Sequence, residues 1–184
     1  FHEDRGLEPD FRRIALAKAR RSWTPPAGTV AGDDSSFSLY REGDLVTRVA
    51  DPAADDGLAV RLAGRTTEWA VQWRPPQGAA AGRQVLRARI RVEKQGAAGA
   101  AFHAGIYDTE RRKGLGEIRV AVSNAAAEYR LYDIAEYDFT PDAYAYVASD
   151  DNPSNVTAIV VDRFELAPAP AAAAPQPGVS RRGP

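Results

Sequence analysis

The sequence contains no cysteine and no methionine, and only two of its 184 residues are histidine. The lack of cysteine excludes disulfide bonds, thiolate metal sites and cysteine nucleophiles. His2 lies beside the N-terminus and His103 lies within a predicted strand, so a histidine-rich metal site is excluded as well. The motifs HExxH, GxSxG, GxGxxG and the P-loop are also absent, which removes support for the enzyme classes that depend on them. Carboxylates, tyrosines and arginines are the side chains left for chemistry.

The chain also lacks an excess of charge and a long apolar run. Lys and Arg number 24 and Asp and Glu 25, giving a net charge of −1. We therefore expect no nucleic-acid partner, because binding to phosphates requires a positive surface. No apolar run approaches the roughly 20 residues of a membrane-spanning helix, so we expect no membrane partner. Because the chain begins at Phe1 and has no methionine, we expect it to be a fragment or processed product of a longer protein.

Hydrophobic spacing divides the chain into three zones. Residues 1–35 are interpreted as a lead-in segment that carries a short basic helix between Glu8 and Trp23, with Asp10 available to cap its first turn. Residues 36–166 alternate apolar and polar positions, as half-buried strands do. Residues 167–184 are rich in proline and alanine and are interpreted as a linker or disordered tail.

The central zone predicts an all-β fold. Leu86 and Ile90 alternate with Arg87, Arg89 and Arg91, which predicts one apolar and one charged face. About nine or ten such strands are separated by turn residues, and an isolated sheet would leave an apolar face in water. We therefore predict a two-sheet antiparallel jelly-roll-like β-sandwich. In the segment WAVQW, the alternation assigns Trp69, Val71 and Trp73 to one face, where the two tryptophans are expected in the core.

The segment FHAGIYD, residues 102–108, carries a possible catalytic pair. His103 and Tyr107 are four residues apart on one strand, so both project from the same face with Gly105 between them. If the face of Arg89 coincided with theirs, the site would hold a uronic acid, with Tyr107 or His103 moving a proton during β-elimination. The segment resembles a strand of jelly-roll alginate lyases, although the strand that supplies their catalytic histidine is missing. The alternative is that both residues are ordinary sandwich residues.

Aromatic residues suggest a different chemistry, because flat rings contact the apolar C–H faces of sugars. Tyr144 and Tyr146 share a strand face, and Tyr107 lies between small or polar neighbours. These three tyrosines are candidates for ring stacking against a sugar. Hydrogen bonds to the same ligand are predicted from Asn152 and His103, and from Arg89 if the sugar is acidic.

Aspartates form a further candidate site. Asp162 stands within the apolar last strand, and a buried aspartate must be paired, hydrogen-bonded or metal-bound. Asp51 and Asp56 lie in an acidic turn. Oxygen ligands from distant parts of a chain suit calcium, so these three residues are candidate calcium ligands. Pairing of Asp162 with an arginine is the simpler alternative.

Three segments are similar to one family of modules. The stretches VTRVADPAADDGLAVRL, WAVQW and VDRFEL resemble the galactose-binding-like β-sandwich modules of bacterial carbohydrate-active enzymes, many of which are carbohydrate-binding modules. The resemblance spans roughly residues 37–166. It implies a non-catalytic module, often with a structural calcium near the first strands and the last-strand aspartate, here Asp162. No ligand residue of that family can be assigned to a position in this chain.

Three functions therefore follow from the sequence. The first is a non-catalytic module that binds a carbohydrate, or braces a neighbouring catalytic domain of the same parent chain, in a secreted or cell-envelope bacterial protein. The second is a small polysaccharide lyase that uses Tyr107, His103 and Arg89. The third is a purely structural sandwich without a ligand.

Overall fold

A computed structural model describes residues 8–78, 82–138 and 140–170, with side chains described from Ile14 onward. One α-helix, one short 3-10 helix at Asp34–Ser36 and eleven strands form in these residues. Their bounds are α1 Glu8–Ala19, β1 Val30–Asp33, β2 Phe37–Leu39, β3 Val46–Ala50, β4 Leu58–Ala63, β5 Val71–Trp73, β6 Arg83–Lys94, β7 Ala100–Asp108, β8 Lys113–Ala121, β9 Arg130–Asp138, β10 Ala143–Ser149 and β11 Val156–Pro168. The strands form two antiparallel sheets, which confirms the predicted all-β sandwich.

The last strand, β11, organises the larger sheet. This six-stranded sheet has the order β3-β4-β11-β6-β9, and β1 also pairs with β11. The 13 residues of β11 are long enough for β4 to pair with its first half and β1 with its second half, along the same edge. The opposite edge of β11 pairs with β6. Because β11 is apolar over most of its length, it can be buried at the centre of the sheet.

The smaller sheet has five strands in the order β2-β5-β10-β7-β8. In β10, Ala145 and Val147 face the sandwich interior, and Tyr144 and Tyr146 project from the opposite face. In the neighbouring β7, Phe102 and Ile106 lie in the core. The outer face of this sheet therefore carries the alternate residues of β10 and β7.

Large rings fill the space between the two sheets. The Trp73 and Phe164 rings stack with centroids 5.9 Å apart, and Phe37 meets Phe164 edge-on at 5.4 Å. Trp73 comes close to β1 of the other sheet, where a Cβ on Gly32 would lie 1.9 Å from its Nε1. Glycine is therefore required at position 32. Burying each of these rings stabilises the fold by about 2–3 kcal/mol.

A bulge in β11 reverses which residues face the core. Ile159 and Val161 point inward before it, and Phe164 and Leu166 point inward after it. The register between β11 and β6 shifts between Val161 and Arg163. A bulge inserts one extra residue into a strand, here Asp162, and re-aims the side chains that follow.

The element boundaries differ in part from the predicted zones. The helix ends at Ala19, inside the predicted 8–23 interval. Strand β1 lies within the predicted lead-in, and β11 continues to Pro168, past the predicted boundary at 166. The predicted linker or tail beyond residue 170 lies outside the described residues. Of the helical residues that the structure describes, none forms a helix long and apolar enough to cross a membrane.

Candidate functional site

The outer face of the five-stranded sheet carries a cluster of aromatic side chains. We call this cluster, Trp69, Tyr107, Tyr144 and Tyr146, the aromatic face. Tyr144 lies opposite Tyr107 in the β10–β7 register, and Tyr146 lies opposite Gly105. The Tyr107 and Tyr144 rings are 5.8 Å apart between centroids. Strand pairing therefore brings together side chains that are 37 positions apart in the sequence.

Trp69 is the centre of the aromatic face. Its ring stacks on Tyr146 with centroids 4.2 Å apart and planes 15° apart. Its ring centroid lies 5.2 Å from that of Tyr107 and 6.4 Å from that of Tyr144. This placement corrects the expectation that Trp69 belongs to the core. Strand β5 begins only at Val71, so Trp69 precedes the strand and does not follow its alternation.

Tyr146 lies beneath the Trp69 ring and is only 2% exposed. Its side chain lies over Gly105, where a Cβ would be 2.4 Å from the Tyr146 hydroxyl oxygen, so only glycine at position 105 leaves room for the tyrosine. The hydroxyl donates a hydrogen bond to Oε2 of Glu117 at 2.5 Å. Burial, together with the hydrogen bond to Glu117, raises the pKa of Tyr146 above its ordinary value. The hydroxyl is therefore held protonated as a donor, and the ring is held in place beneath Trp69.

His103 extends the same face toward the end of β7. Its ring centroid lies 6.2 Å from that of Tyr146, and its Nδ1 lies 3.4 Å from Oδ1 of Asp150. The Nε of Arg119 donates to both oxygens of Asp150 at 3.0 and 3.1 Å. Nδ1 of His103 and Oγ of Ser149 are buried without a hydrogen-bond partner among the described residues. Polar groups therefore border the aromatic face at this end.

The structure brings together four of the six predicted ligand residues. Tyr107, Tyr144, Tyr146 and His103 all lie on the outer face of the five-stranded sheet. The predicted combination with Arg89 does not form, because β6 belongs to the other sheet. Without that arginine, the arrangement required for the lyase alternative is not assembled.

The outer face of the six-stranded sheet is instead a network of ion pairs. Arg89 donates to Oδ2 of Asp162 at 2.7 Å, and its guanidinium lies 4.5 Å from the centroid of the Tyr129 ring. Arg91 donates two hydrogen bonds to Oδ2 of Asp51, at 3.0 and 2.9 Å. The Tyr129 hydroxyl donates to the same oxygen at 2.8 Å. These arginines are therefore engaged by carboxylates of the chain itself.

Burial affects two of the predicted metal ligands in this network differently. Burial raises the pKa of Asp162, although Arg89 and Arg163 act in the opposite direction. Burial would also raise the pKa of Asp51, but hydrogen bonds from Ala53 N–H, Tyr129 and Arg91 lower it below its ordinary value. Asp51 is therefore held as a carboxylate by protein donors.

The third predicted metal ligand, Asp56, belongs to a separate carboxylate cluster. Among the described residues, the group whose ligand atoms lie within 4.8 Å of one another is Asp33, Asp34 and Asp56. Arg20 donates to Asp56 at 2.8 Å and to both oxygens of Asp34 at 2.8 and 3.0 Å. Its guanidinium also lies 3.5 Å from Asp33. In this arrangement, oxygens of Asp34 and Asp56 that could face a cation accept hydrogen bonds from Arg20.

We predict that the melting temperature is the same in EDTA and in millimolar calcium. A ligand of the native state must raise apparent stability, and Arg20 already occupies oxygens of Asp34 and Asp56 that calcium would need. A melting temperature of the unaltered protein that is higher in calcium than in EDTA would contradict this prediction.

Replacing Arg20 with alanine is expected to lower the free energy of unfolding by about 2 kcal/mol, because Asp34 stays buried and loses its main partner. Thermal unfolding of the unaltered protein and of the Arg20→Ala variant measures this loss of stability.

Asn152, the remaining predicted ligand residue, links two loops. Its Nδ2 donates to the carbonyl oxygens of Ala98 and Ala100 at 2.8 and 2.9 Å. Its Oδ1 accepts from Nδ2 of Asn155 at 2.9 Å. These hydrogen bonds all run to the protein itself, and they position the turn before β11.

Several residues of the site were missed in the sequence interpretation. They are Trp69, Glu117, Arg119 and Asp150. The Thr-Thr-Glu run before Trp69 is a loop signal that could have separated it from the strand. No sequence signal pairs Arg119 with Asp150, because β8 and the end of β10 meet His103 only through tertiary structure.

Comparison with known proteins gives structural matches. No family model and no curated protein matches the chain. The C-terminal family 22 carbohydrate-binding module of Clostridium thermocellum Xyn10B superimposes with a TM-score of 0.51 at 16% identity, over 80% of this chain and 99% of that chain. A family 35 module from the same organism gives a TM-score of 0.48 at 15% identity, over 74% and 97%.

A longer chain, the CBM22-1 and GH10 modules of C. thermocellum xylanase 10B complexed with xylohexaose, gives a TM-score of 0.43 at 10% identity. The match covers 78% of this chain and 26% of that one. This chain spans about a quarter of the length of that two-module chain. The match to the family 22 module of Xyn10B shows that the chain shares the β-sandwich fold of that module.

Proposed function

We propose that the aromatic face binds a carbohydrate, and that the chain is a non-catalytic module of a larger polysaccharide-active protein. The observation that carries the proposal is the clustering of Trp69, Tyr107 and Tyr144 on the outer surface of a sheet, with each side chain part-exposed. Rings in the core of a sandwich serve packing. Rings that project outward from the sheet offer flat apolar surface to a ligand.

The surroundings of the rings suit a sugar ligand. A sugar presents C–H groups to an aromatic ring and hydroxyls to polar neighbours, and a binding site combines the two. At one end of the aromatic face, His103, Asp150 and Arg119 provide such polar groups. The rings themselves are held rigidly, since Tyr146 is buried under Trp69 and bonded to Glu117. A preformed face of this kind loses little entropy on binding.

The shared fold supports the proposal independently of the residues. In the Xyn10B module, amino acids of a cleft have a role in ligand binding. A non-catalytic role also agrees with the separation of Arg89 from His103 and Tyr107 on opposite sheets. We extend the proposal to a neighbouring catalytic domain in the same parent chain, and to a secreted or cell-envelope location in a bacterium.

We predict that replacing Trp69 with alanine weakens carbohydrate binding about thirtyfold, or by ~2 kcal/mol, because the central ring of the site is lost. Affinity gel electrophoresis against neutral and acidic polysaccharides would first identify which polymer retards the unaltered protein. Isothermal titration with oligosaccharides of that polymer then measures the dissociation constants of both proteins.

Trp23→Ala is a matched control for this experiment. Trp23 is also part-exposed, but it lies against Arg163 of the six-stranded sheet, with the guanidinium 4.7 Å from its ring centroid. Its removal is expected to leave carbohydrate affinity unchanged. Equal affinity of the Trp69→Ala protein and the unaltered protein would refute the site. Retention on none of the polysaccharides would leave the purely structural alternative.

A further inference from the structure

A pocket lies beside the aromatic face, at the edge formed by β2 and β5. It has a volume of about 230 Å³ and is lined by Tyr40, Thr67, Glu68, Trp69 and Gln72. Its two rings come from different strand ends, because Tyr40 follows β2 and Trp69 precedes β5. A hydrogen bond from Tyr40 N–H to the carbonyl oxygen of Ala70, at 2.9 Å, holds these ends together.

Tyr40 is unusually exposed for a ring of its size. It is 47% exposed, and with Ile14 and Leu131 it is one of three exposed large hydrophobic side chains in the described residues. Ile14 and Leu131 lie on other elements, α1 and β9. Of these three, Tyr40 is the one that lines a pocket together with Trp69 of the aromatic face.

The polar groups of the pocket leave acceptors for a ligand. Nε2 of Gln72 donates to the carbonyl oxygen of Trp69 at 2.9 Å, and its Oε1 accepts no hydrogen bond from the described residues. The backbone N–H of Glu68 donates to Oγ1 of Thr66 at 3.0 Å. The Glu68 carboxylate has no hydrogen-bond or ion-pair partner among the described residues. The pocket therefore presents a carboxylate without a direct partner, among the described residues, beside two rings.

No arginine forms an ion pair with Glu68 among the described residues. Arg65 and Arg41 both pair with Asp44, and Arg119 pairs with Asp150. Arg74 donates a hydrogen bond to the carbonyl oxygen of Pro141 at 3.3 Å. A carboxylate such as Glu68 accepts hydrogen bonds from hydroxyls and repels another carboxylate.

The strand register gives the separation, along the backbone of β5, between the two ends of the site, Tyr40 and Tyr144. Tyr40 bonds to Ala70 of the chain entering β5, and Ala145, next to Tyr144, pairs with Trp73. Tyr144 therefore lies level with Arg74, which is four residues after Ala70. At about 3.3 Å per residue, the two levels are about 13 Å apart. One sugar ring is too short to contact both ends, whereas a chain of sugars can do so.

We propose that the Tyr40–Trp69 pocket is a second sugar subsite that takes an uncharged glycosyl residue of the same chain. The inference rests on the proposed function, since Trp69 is shared by both subsites. The polysaccharide runs along the direction of β5, with one residue over the aromatic face and another between Tyr40 and Trp69. Glu68 selects against a uronic acid at this position and accepts hydroxyl donors from a neutral sugar.

The length dependence of affinity tests the subsite. Titration with neutral oligosaccharides of increasing length is expected to show affinity rising with length in the unaltered protein. Tyr40→Ala is expected to weaken binding of the longest oligosaccharide about tenfold and to leave a disaccharide unaffected. Leu131→Ala, a change of similar exposure on the other sheet, should have no effect at any length. Melting temperatures show that all three proteins are folded.

The charge of Glu68 is tested separately with a polysaccharide that carries uronic acids. Glu68→Gln is expected to increase retention on the uronic-acid polymer about fivefold, compared with any change in its retention on a neutral polymer. The reason is that removing the carboxylate removes a repulsion of about 1 kcal/mol at close range in water. Glu128→Gln, an exposed glutamate in the turn before β9, serves as the matched control.

The outcomes separate this inference from the proposed function. Suppose that the unaltered protein binds oligosaccharides, but Tyr40→Ala lowers the affinity equally at every length or does not lower it at all. The second subsite is then wrong, and the proposed site at the aromatic face is unaffected. Preferential binding of uronic polymers, unchanged by Glu68→Gln, would also overturn the inference alone. Failure of the unaltered protein to bind any polysaccharide would overturn both.

Discussion

Replacing Asp162 with alanine is expected to lower the free energy of unfolding by about 3 kcal/mol. Asp162 is 2% exposed and accepts hydrogen bonds from Arg89 at 2.7 Å, from Arg163 at 3.0 Å and from the backbone N–H of Asp55 at 3.2 Å. Its removal leaves two part-buried guanidinium groups with fewer partners, and it releases the acidic loop from β11. Chemical denaturation with the alanine variant measures the change.

Two further variants separate charge from hydrogen bonding at Asp162. Asp162→Asn retains an acceptor oxygen and is expected to lose less stability than the alanine variant. Asp133 is a partner of Arg87, and its own side chain is 72% exposed. Asp133→Ala is therefore expected to change stability by less than about 1 kcal/mol. An Asp162→Ala protein as stable as the unaltered one would show that the network does not hold the loop on the sheet.

Replacing Gly32 with alanine is expected to destabilise the fold by about 3 kcal/mol, although only one methyl group is added. A Cβ at this position would lie 1.9 Å from Nε1 of Trp73 and 2.4 Å from two other atoms of the ring. Trp73 is 1% exposed and stacked on Phe164, so it cannot move without disturbing the packing between the sheets. Thermal and chemical unfolding of the variant would measure the loss.

Gly114 provides the matched control for this substitution. It also lies in a strand, β8, but a Cβ there would have no atom within 4 Å. Gly114→Ala is expected to be neutral or slightly stabilising, because it only reduces the freedom of the unfolded chain. A smaller ring should relieve the clash, so adding Trp73→Phe to Gly32→Ala is expected to cost less than the sum of the two single changes. Strict additivity would contradict the proposed contact.

The strands could be predicted because alternation is local. Leu86, Ile90 and Val92 are at most 1% exposed, and the arginines between them project outward, as the pattern indicates. The same rule placed His103 and Tyr107 on one face, where the structure has them. In β11 the pattern also marks Asp162 as exceptional, since it interrupts an apolar strand. The sequence does not show that a bulge there aims Asp162 and Arg163 toward the same surface.

The candidate site was predicted only in part, because its residues come from separate strands. Tyr107 and Tyr144 belong to adjacent strands, and no local pattern pairs β7 with β10. Trp69 was assigned to the core from an alternation that continued past the true start of β5. A one-residue irregularity at a strand end reverses the direction of a side chain, and sequence patterns place such ends poorly.

The sequence by itself determined the class of fold and the chemistry on offer. Period-two alternation is a property of each strand alone, and the lack of cysteine with only two histidines limits the reactive groups wherever they lie. The tertiary structure decided which outward faces meet. Arg89 and His103 both point out of the sandwich, but from opposite sheets, because strand order depends on long-range pairing rather than on local spacing. That pairing places the arginines in an ion-pair network and leaves the rings to form the candidate sugar site.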